Sequence, residues 1–397
     1  MRFKFIIIMV LISTAIFGNS IFSFEGMPIQ SYGCDVYSVG MGGTGSGDLF
    51  RVNTNYFNPA NVITANKVIL STAVSMGYQW YSDNIGNSYR DNGLFFPYFN
   101  FAVPISNHKF AFNFNSFSSG NIENEKPGVW EGYEYIEINR INSSIFKAEL
   151  IYAYKNPFVN AGLSLDYYLG HRVRYWEQDF DDIYSPKYEV EKRFRNAGFS
   201  FGINKKIGNL SFGTFYSSAA DLEGETIYKS PDIADTLDLE DKTIYEIPRK
   251  ISTGITWKFM EKYKVSFDAN YELWKNTESY DENTYRLALG LAYDPLSGYG
   301  QWYERIPLRC GGHYRVLPFE KNNNKIDEKS FSFGGSIPLK SSGKKIDIGI
   351  NYLLRGDKNK HGVREKTVMF YFGITGFDIF SKRAKRTGHR EIPKVDY

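Results

Sequence analysis

From Lys67 onward the side chains alternate, apolar then polar, one residue at a time. A period of two belongs to the β-strand, whose successive side chains point to opposite faces. Val68, Leu70, Thr72, Val74, Met76, Tyr78 and Trp80 share one face; Ser71, Ala73, Ser75, Gly77 and Gln79 share the other. Phe110, Phe112 and Phe114 keep the same beat, as do Val265 to Leu273, Ile346 to Leu354 and Val368 to Ile374. Fourteen such segments can be marked: 67–81, 94–104, 109–118, 136–154, 158–175, 187–204, 209–221, 246–259, 262–274, 284–293, 305–317, 329–338, 345–355 and 364–377. Most reach the ~9–11 residues with which a tilted strand crosses a bilayer.

The connections sort by length. Short turns fall at Ser106-Asn107-His108, Lys155-Asn156-Pro157, Lys205 to Gly208, Met260-Glu261 and Ser341-Ser342-Gly343. Long polar loops are expected at 82–93, 119–135, 176–186, 222–245, 275–283, 318–328 and 356–363. Short and long in turn is the pattern of an outer-membrane barrel, with tight periplasmic turns and longer outer loops. Asp294 to Glu304 breaks the rule, being long where a short turn is due. An even number of strands with both ends on one side closes without an exposed edge. Composition separates the alternatives less well: 17% aromatic residues, 36 glycines and a mean hydropathy of −0.38 suit a soluble β-sandwich too. A formal charge of +3 gives no sign of a nucleic-acid partner.

Residues 1–20 read as a signal peptide, with Arg2 and Lys4 ahead of an apolar run from Phe5 to Phe17 and cleavage after Ser20 or Ser23. Residues 21–66 read as an N-terminal periplasmic or hatch segment, 67–380 as the barrel and 381–397 as a basic periplasmic tail. The hatch segment is rich in glycine: Gly40, Gly42, Gly43, Gly45 and Gly47 lead through a polar connector to Asn58-Pro59-Ala60. Gly40-x-Gly42-x-x-Gly45 has the spacing of a dinucleotide fingerprint. That motif needs a preceding strand and a following helix, and Asn53, Asn55, Asn58 and Pro59 favour turns instead. A stretch so poor in apolar bulk cannot fold alone and needs a wall around it.

The glycine-rich start with Asn58-Pro59-Ala60 resembles the hatch of the long-chain fatty-acid transporter (FadL-type) barrels. Ile247-Pro248, Gly254 to Trp257 and Asp268 with Tyr271 and Trp274 are similar to that family's middle strands. Pro307 to Gly312, Gly334 to Pro338 and Tyr352 to Gly356 are similar to its closing strands. The resemblance runs from about Tyr32 to Phe380. It implies an all-β fold, a transmembrane antiparallel β-barrel of about 14 strands with an N-terminal hatch in the lumen. It implies a bacterial outer-membrane channel for passive uptake of hydrophobic small molecules such as long-chain fatty acids. Its expected partners are outer-membrane lipid, the hydrophobic ligand and, during biogenesis, the barrel-assembly machinery. In that family a deformed third strand opens a side exit, whereas Phe110 to Ser118 holds neither Pro nor Gly. The alternative is a non-transporting barrel that serves as interaction or shuttle partner for exported proteins.

The hatch residues singled out are Gly42, Gly43, Gly45, Asn58, Pro59 and Ala60. The candidate ligand site is Arg309, His313 and Arg315, which alternate with Leu308, Cys310, Tyr314 and Val316 and so share the lumen face. Cations there can meet a carboxylate head group. The plainer reading, and the favoured one, is a structural charge ladder with Asp268, Glu272 or Asp347. No enzyme, cofactor or metal is expected: the five histidines are scattered, and Asp179, Asp181 and Asp182 lack ordered ligand spacing. Cys34 and Cys310 read as free thiols, since the alternation puts Cys310 on the lipid side; a disulfide between them, which an exported compartment permits, is the alternative.

Overall fold

The computed structural model describes residues 20, 22, 35–53, 57–181, 183–229, 243–277, 282–295, 301–339 and 344–377. The readings placed on residues 1–19, on Cys34, on Asp182 and on the tail from 381 lie outside these. In chain order the strands are β1 (Ile69–Asp83), β2 (Ser88–Phe95), β3 (Tyr98–Ile105), β4 (His108–Trp130), β5 (Tyr133–Tyr154) and β6 (Asn160–Phe180). Next come β7 (Lys187–Ile207), β8 (Leu210–Ser217), β9 (Ala220–Lys229), β10 (Thr243–Ile247), β11 (Lys250–Trp257) and β12 (Tyr263–Glu272). The series ends with β13 (Thr284–Tyr293), β14 (Leu308–Lys321), β15 (Asn324–Pro338), β16 (Lys345–Arg355) and β17 (Val363–Phe377). β2 with β3, β8 with β9 and β10 with β11 are each one wall strand with a break, so the wall is a closed antiparallel barrel of fourteen strands. β1 closes it against β17, in register from Thr72↔Ile374 to Asp83↔Val363.

The polarity of the wall is inverted relative to a soluble protein. Along β13, Tyr285, Leu287, Leu289 and Leu291 are exposed, while Thr284, Arg286, Ala288 and Ala292 between them are buried. Along β12, Phe267 and Tyr271 face out and Lys264, Ser266, Asp268, Asn270 and Glu272 face in. Apolar side chains outward and polar ones inward are stable only where the outside is lipid. Among the described residues no helix is long and apolar enough to cross a membrane.

The expected long loops are the point of correction. Residues 119–135 are strand nearly throughout: β4 and β5 run on to a two-residue turn, Glu131-Gly132, with φ of 49° and 92°. Both angles are positive, as a type I′ hairpin requires. Residues 318–328 likewise belong to β14 and β15, joined through Asn322-Asn323, and residues 176–180 of the expected 176–186 loop extend β6. Above the hydrocarbon both faces of a strand are wet, so nothing enforces alternation and the segment reads as a loop. Backbone pairing and charge pairs such as Arg140–Glu123 at 2.6 Å hold it as sheet.

One place in the wall is irregular. β4 carries an extra residue between Ser116 and Ser118, so Phe117 is bulged. Opposite it the second wall strand breaks at Phe96-Pro97, and Ser116 N–H donates to Pro97 O at 3.1 Å. Below this point β3 and β4 pair from Ile105↔His108 to Tyr98↔Asn115. Above it β2 pairs with β1 and β4 with β5, and among the described residues no ladder joins β2 to β4. The third wall strand is deformed at Phe117 although Phe110 to Ser118 holds neither Pro nor Gly, and the proline beside the bulge, Pro97, lies in the neighbouring strand.

Candidate functional site

The segment from Asp35 to Asp48 is buried at every residue although it carries little apolar bulk, because it lies inside the barrel. It opens with a short helix, α1 (Val36–Gly40), capped by the Asp35 side chain, which accepts from Ser38 N–H at 2.7 Å. The glycines that follow permit backbone-to-backbone contact with the wall. Gly42 has φ of 70°, and a Cβ there would lie 2.4 Å from Gly312 N. A Cβ on Gly47 would lie 2.3 Å from Gly254 O. The wall answers with glycines of its own, paired across strands as Gly254↔Gly213 and Gly290↔Gly311 at the level of the plug.

Buried polar side chains from the wall grip the plug backbone. One Asp268 carboxylate oxygen accepts from Gly45 and Ser46 N–H at 3.0 and 2.8 Å. Arg286 donates to Gly42 O at 2.6 Å and to Gly43 O at 3.2 Å. Ser332 and Ser211 add bonds to Gly42 N–H and Gly47 O at 2.8 and 2.6 Å. Each of these satisfies a peptide group that would otherwise be buried unpaired.

Asn58-Pro59-Ala60 ends the plug. Asn58 is extended, with φ −103° and ψ 118°, as a residue before proline should be. Its Oδ1 accepts from Ala60 N–H, capping the 3-10 turn Pro59–Thr64. Its Nδ2 lies within reach of Ser46 O, Ile203 O and Thr214 O at 3.3, 3.0 and 3.2 Å, joining plug to wall. A Cβ on Gly202 or Gly162 of the wall would strike Asn58 or Ala60. Val62, Ile63 and Ala65 then pack on Ala102, Ala111, Ile151 and Ala153 of β3 to β5.

At the helix end, the Tyr37 ring has three cations around it: Arg309 at 4.0 Å, Arg51 at 4.3 Å and Lys264 at 4.7 Å from its centroid. Its hydroxyl donates to Asp294 at 2.7 Å. Asp294 belongs to the unexpectedly long 294–304 connection. Arg51 pairs with Asp35 at 2.5 Å and Asp48 at 3.2 Å, and Lys264 with Asp48 at 2.9 Å. Burial pushes the Asp35 carboxyl up, but Arg51 and the Ser38 bonds bring it below its ordinary range. Burial also raises Asp294, and Lys264 with the Tyr37 hydroxyl outweighs it to leave that carboxyl lowered.

Arg309, His313 and Arg315 all face inward, and each has a protein partner. Arg309 lies on Tyr37 and reaches Ser336 and Asp347, the latter at 3.4 Å. His313 Nε2 meets Glu328 at 2.9 Å and Nδ1 lies 3.3 Å from Gly42 O. Arg315 stands 3.7 Å from Glu272. Cys310 is exposed on the outer face and is a free thiol. Arg286 and Lys264 have no place among the sequence motifs, and Asp294, Gly254 and Gly311 stand out in the sequence only as the start of a long connection and as parts of motifs, not as partners of the plug. The available signal was phase: a charge or a glycine at an inward position of a strand is unusual enough to need a partner.

Beyond the plug, Lys147 pairs with Glu149 at 2.7 Å and Asp166 at 2.9 Å. Beside it lies an apolar interior patch, Ile145, Tyr168, Phe194, Leu222, Tyr245 and Ile247. The bulged Phe117 packs edge-on against Tyr168 with centroids 5.2 Å apart. The patch therefore adjoins the seam between β2 and β4.

A family model described as BamG matches residues 1–385. The chain belongs to the BamG family. Solved structures with the same fold include a FadL homologue of Pseudomonas aeruginosa, at TM-score 0.62 and 14% identity, covering 88% of this chain and 99% of that one. The toluene transporter TodX of P. putida aligns at TM-score 0.58 and 16% identity over 85% of this chain and 97% of its own. The toluene transporter TbuX of Ralstonia pickettii aligns at TM-score 0.57 and 14% identity over 90% and 99%. This BamG-family chain thus has a FadL-type barrel, the architecture of the bacterial outer membrane. No curated protein matches the sequence.

Proposed function

We propose that this barrel admits hydrophobic small molecules through the outer membrane without an energy source of its own. The observation that carries the reading is the seam between β2 and β4 where it meets the apolar interior patch at Phe117. Unpaired backbone at membrane depth is costly unless it is buried in protein or lines a cavity. An apolar ligand resting on Tyr168 and Ile145 would stand one side chain from lipid. The plug closes the lumen to polar solutes. Similarity in fold to toluene transporters agrees with this but does not choose the substrate.

Long-chain fatty acids fit as the finer form of the reading, with the tail rather than the head group recognised. Arg309, His313 and Arg315 each meet a wall carboxylate. Their proposed role is to hold the wall and plug together. Deleting Phe117 restores a regular β4 and should slow uptake of a labelled fatty acid and of its alcohol alike, by about tenfold, equivalent to ~1.4 kcal/mol in barrier. Unchanged uptake of both in a folded variant would refute a path at the seam.

A second reading is an interaction partner for exported proteins, as the alternative above. It is favoured by the number of buried bonds that fix the plug and by the β4 to β7 hairpins that project past the wall. Wild-type vesicles with no uptake above empty vesicles would favour it.

A further inference from the structure

We propose that the lipid-facing surface of β3 to β6 is a specific site for one anionic phospholipid of the periplasmic leaflet. The surface there is not a smooth cylinder. A groove of about 470 Å³ is cut between Val103, Phe110, Phe112, Leu150, Leu163 and Leu165, with Ala111 and Ile151 at its floor. Its side chains offer no hydrogen-bonding group except the Tyr152 hydroxyl, and that is taken by His108 Nδ1 at 2.8 Å. An acyl chain satisfies such a groove and a polar ligand does not.

The groove ends at the periplasmic turns, and the charge there is of one sign. His108 stacks on Tyr152 and lies against Tyr154, with centroids 5.9 and 5.2 Å away. Lys155 begins the adjoining turn, its N–H bonded to Asn107 O at 2.9 Å. Lys205 reaches across from β7 to the same turn, its Nζ donating to Pro157 O at 2.5 Å. Residues 104–109, 155–160 and 204–209 contain no Asp or Glu. The exposed side chains of Ile105, Phe158 and Val159 set this rim at the head-group level. An apolar slot under a cationic rim matches an acyl chain under a phosphate, and the missing acids favour a net negative head group over a zwitterion. The site does not depend on whether the barrel transports anything.

The test is native mass spectrometry of the full barrel in detergent with equal phosphatidylglycerol and phosphatidylethanolamine. Wild type should retain one phosphatidylglycerol in preference. Lys155→Gln and Lys205→Gln should each reduce that preference about fivefold, the value of one lysine at an anionic surface. Val103→Trp or Leu150→Trp fills the slot and should remove both lipids, while Leu289→Trp on another part of the wall should change nothing. Equal retention of the two lipids by wild type, or retention unchanged by both the glutamine and the tryptophan variants, would mean ordinary annular lipid and overturn the proposal. The lysine variants keep the test decisive should a tryptophan variant fail to assemble.

Discussion

At the scale of single residues, the plug is held by contacts that have no room for error. Gly42 and Gly47 lie against wall backbone closer than a methyl group allows. Gly42→Val or Gly47→Val should therefore displace the plug while leaving the barrel assembled, read as raised single-channel conductance with heat-modifiable mobility intact. Asn58 joins a cap to two wall strands, and Asn58→Ala should weaken docking by about 1–3 kcal/mol, the cost of stranding buried carbonyls. Acid should act on the same contacts. Asp35 and Asp294 both titrate below their ordinary range when docked. A lowered carboxyl stabilises the docked state fully above the ordinary value, about 3.9, and loses that contribution as pH falls through the lower docked value. Conductance should be flat from neutral pH down to about 4 and rise below it. Replacing Asp294 by Asn should flatten part of that rise.

Among the elements, β4 and β5 are the informative pair. Their lower halves alternate strictly because one face meets lipid, with Phe110, Leu150 and Tyr152 exposed and Ala111, Glu149 and Ile151 buried. Their upper halves are held by cross-strand pairs in water. Replacing residues 121–141 by a short turn should leave the barrel folded and inserted, since none of the plug contacts described above lies in this stretch. Loss of heat-modifiable mobility in that variant would show that the projecting hairpin is needed for assembly. The bulge at Phe117 was not visible in the sequence because a bulge costs one residue of phase, and Phe114, Ser116 and Phe117 read equally well as continuing strand. Pro97 was the available signal: proline cannot donate to a ladder and is confined to breaks and edges.

For the whole molecule, the plug and the wall complete each other. A fourteen-stranded barrel is too wide for its own side chains to fill. Inward glycines such as Gly213, Gly254 and Gly290 widen it further where the plug sits. Removing Ser31 to Asn61 should leave an assembled barrel with raised conductance. It should also unfold at a lower temperature, because Asp268 and Arg286 would lose the plug peptides they bond. An unchanged melting temperature would mean that those groups gain equal partners in water.

What the sequence determined by itself was the barrel. Where one face of a strand must meet lipid, every second residue is constrained, and that constraint is written locally from Ile69 to Phe377. It also put Arg309, His313 and Arg315 on the inward face, since phase along a strand is local too. Tertiary structure alone decided what those side chains meet. Arg309 finds Tyr37 and Asp347, and His313 finds Gly42 and Glu328, at separations of hundreds or tens of residues that no pattern records. It decided likewise that the glycines of the plug face glycines of the wall, and that the wall parts at Pro97 and Phe117. Such contacts depend on how a closed sheet brings distant strands round a common interior, and that closure is a property of the whole chain.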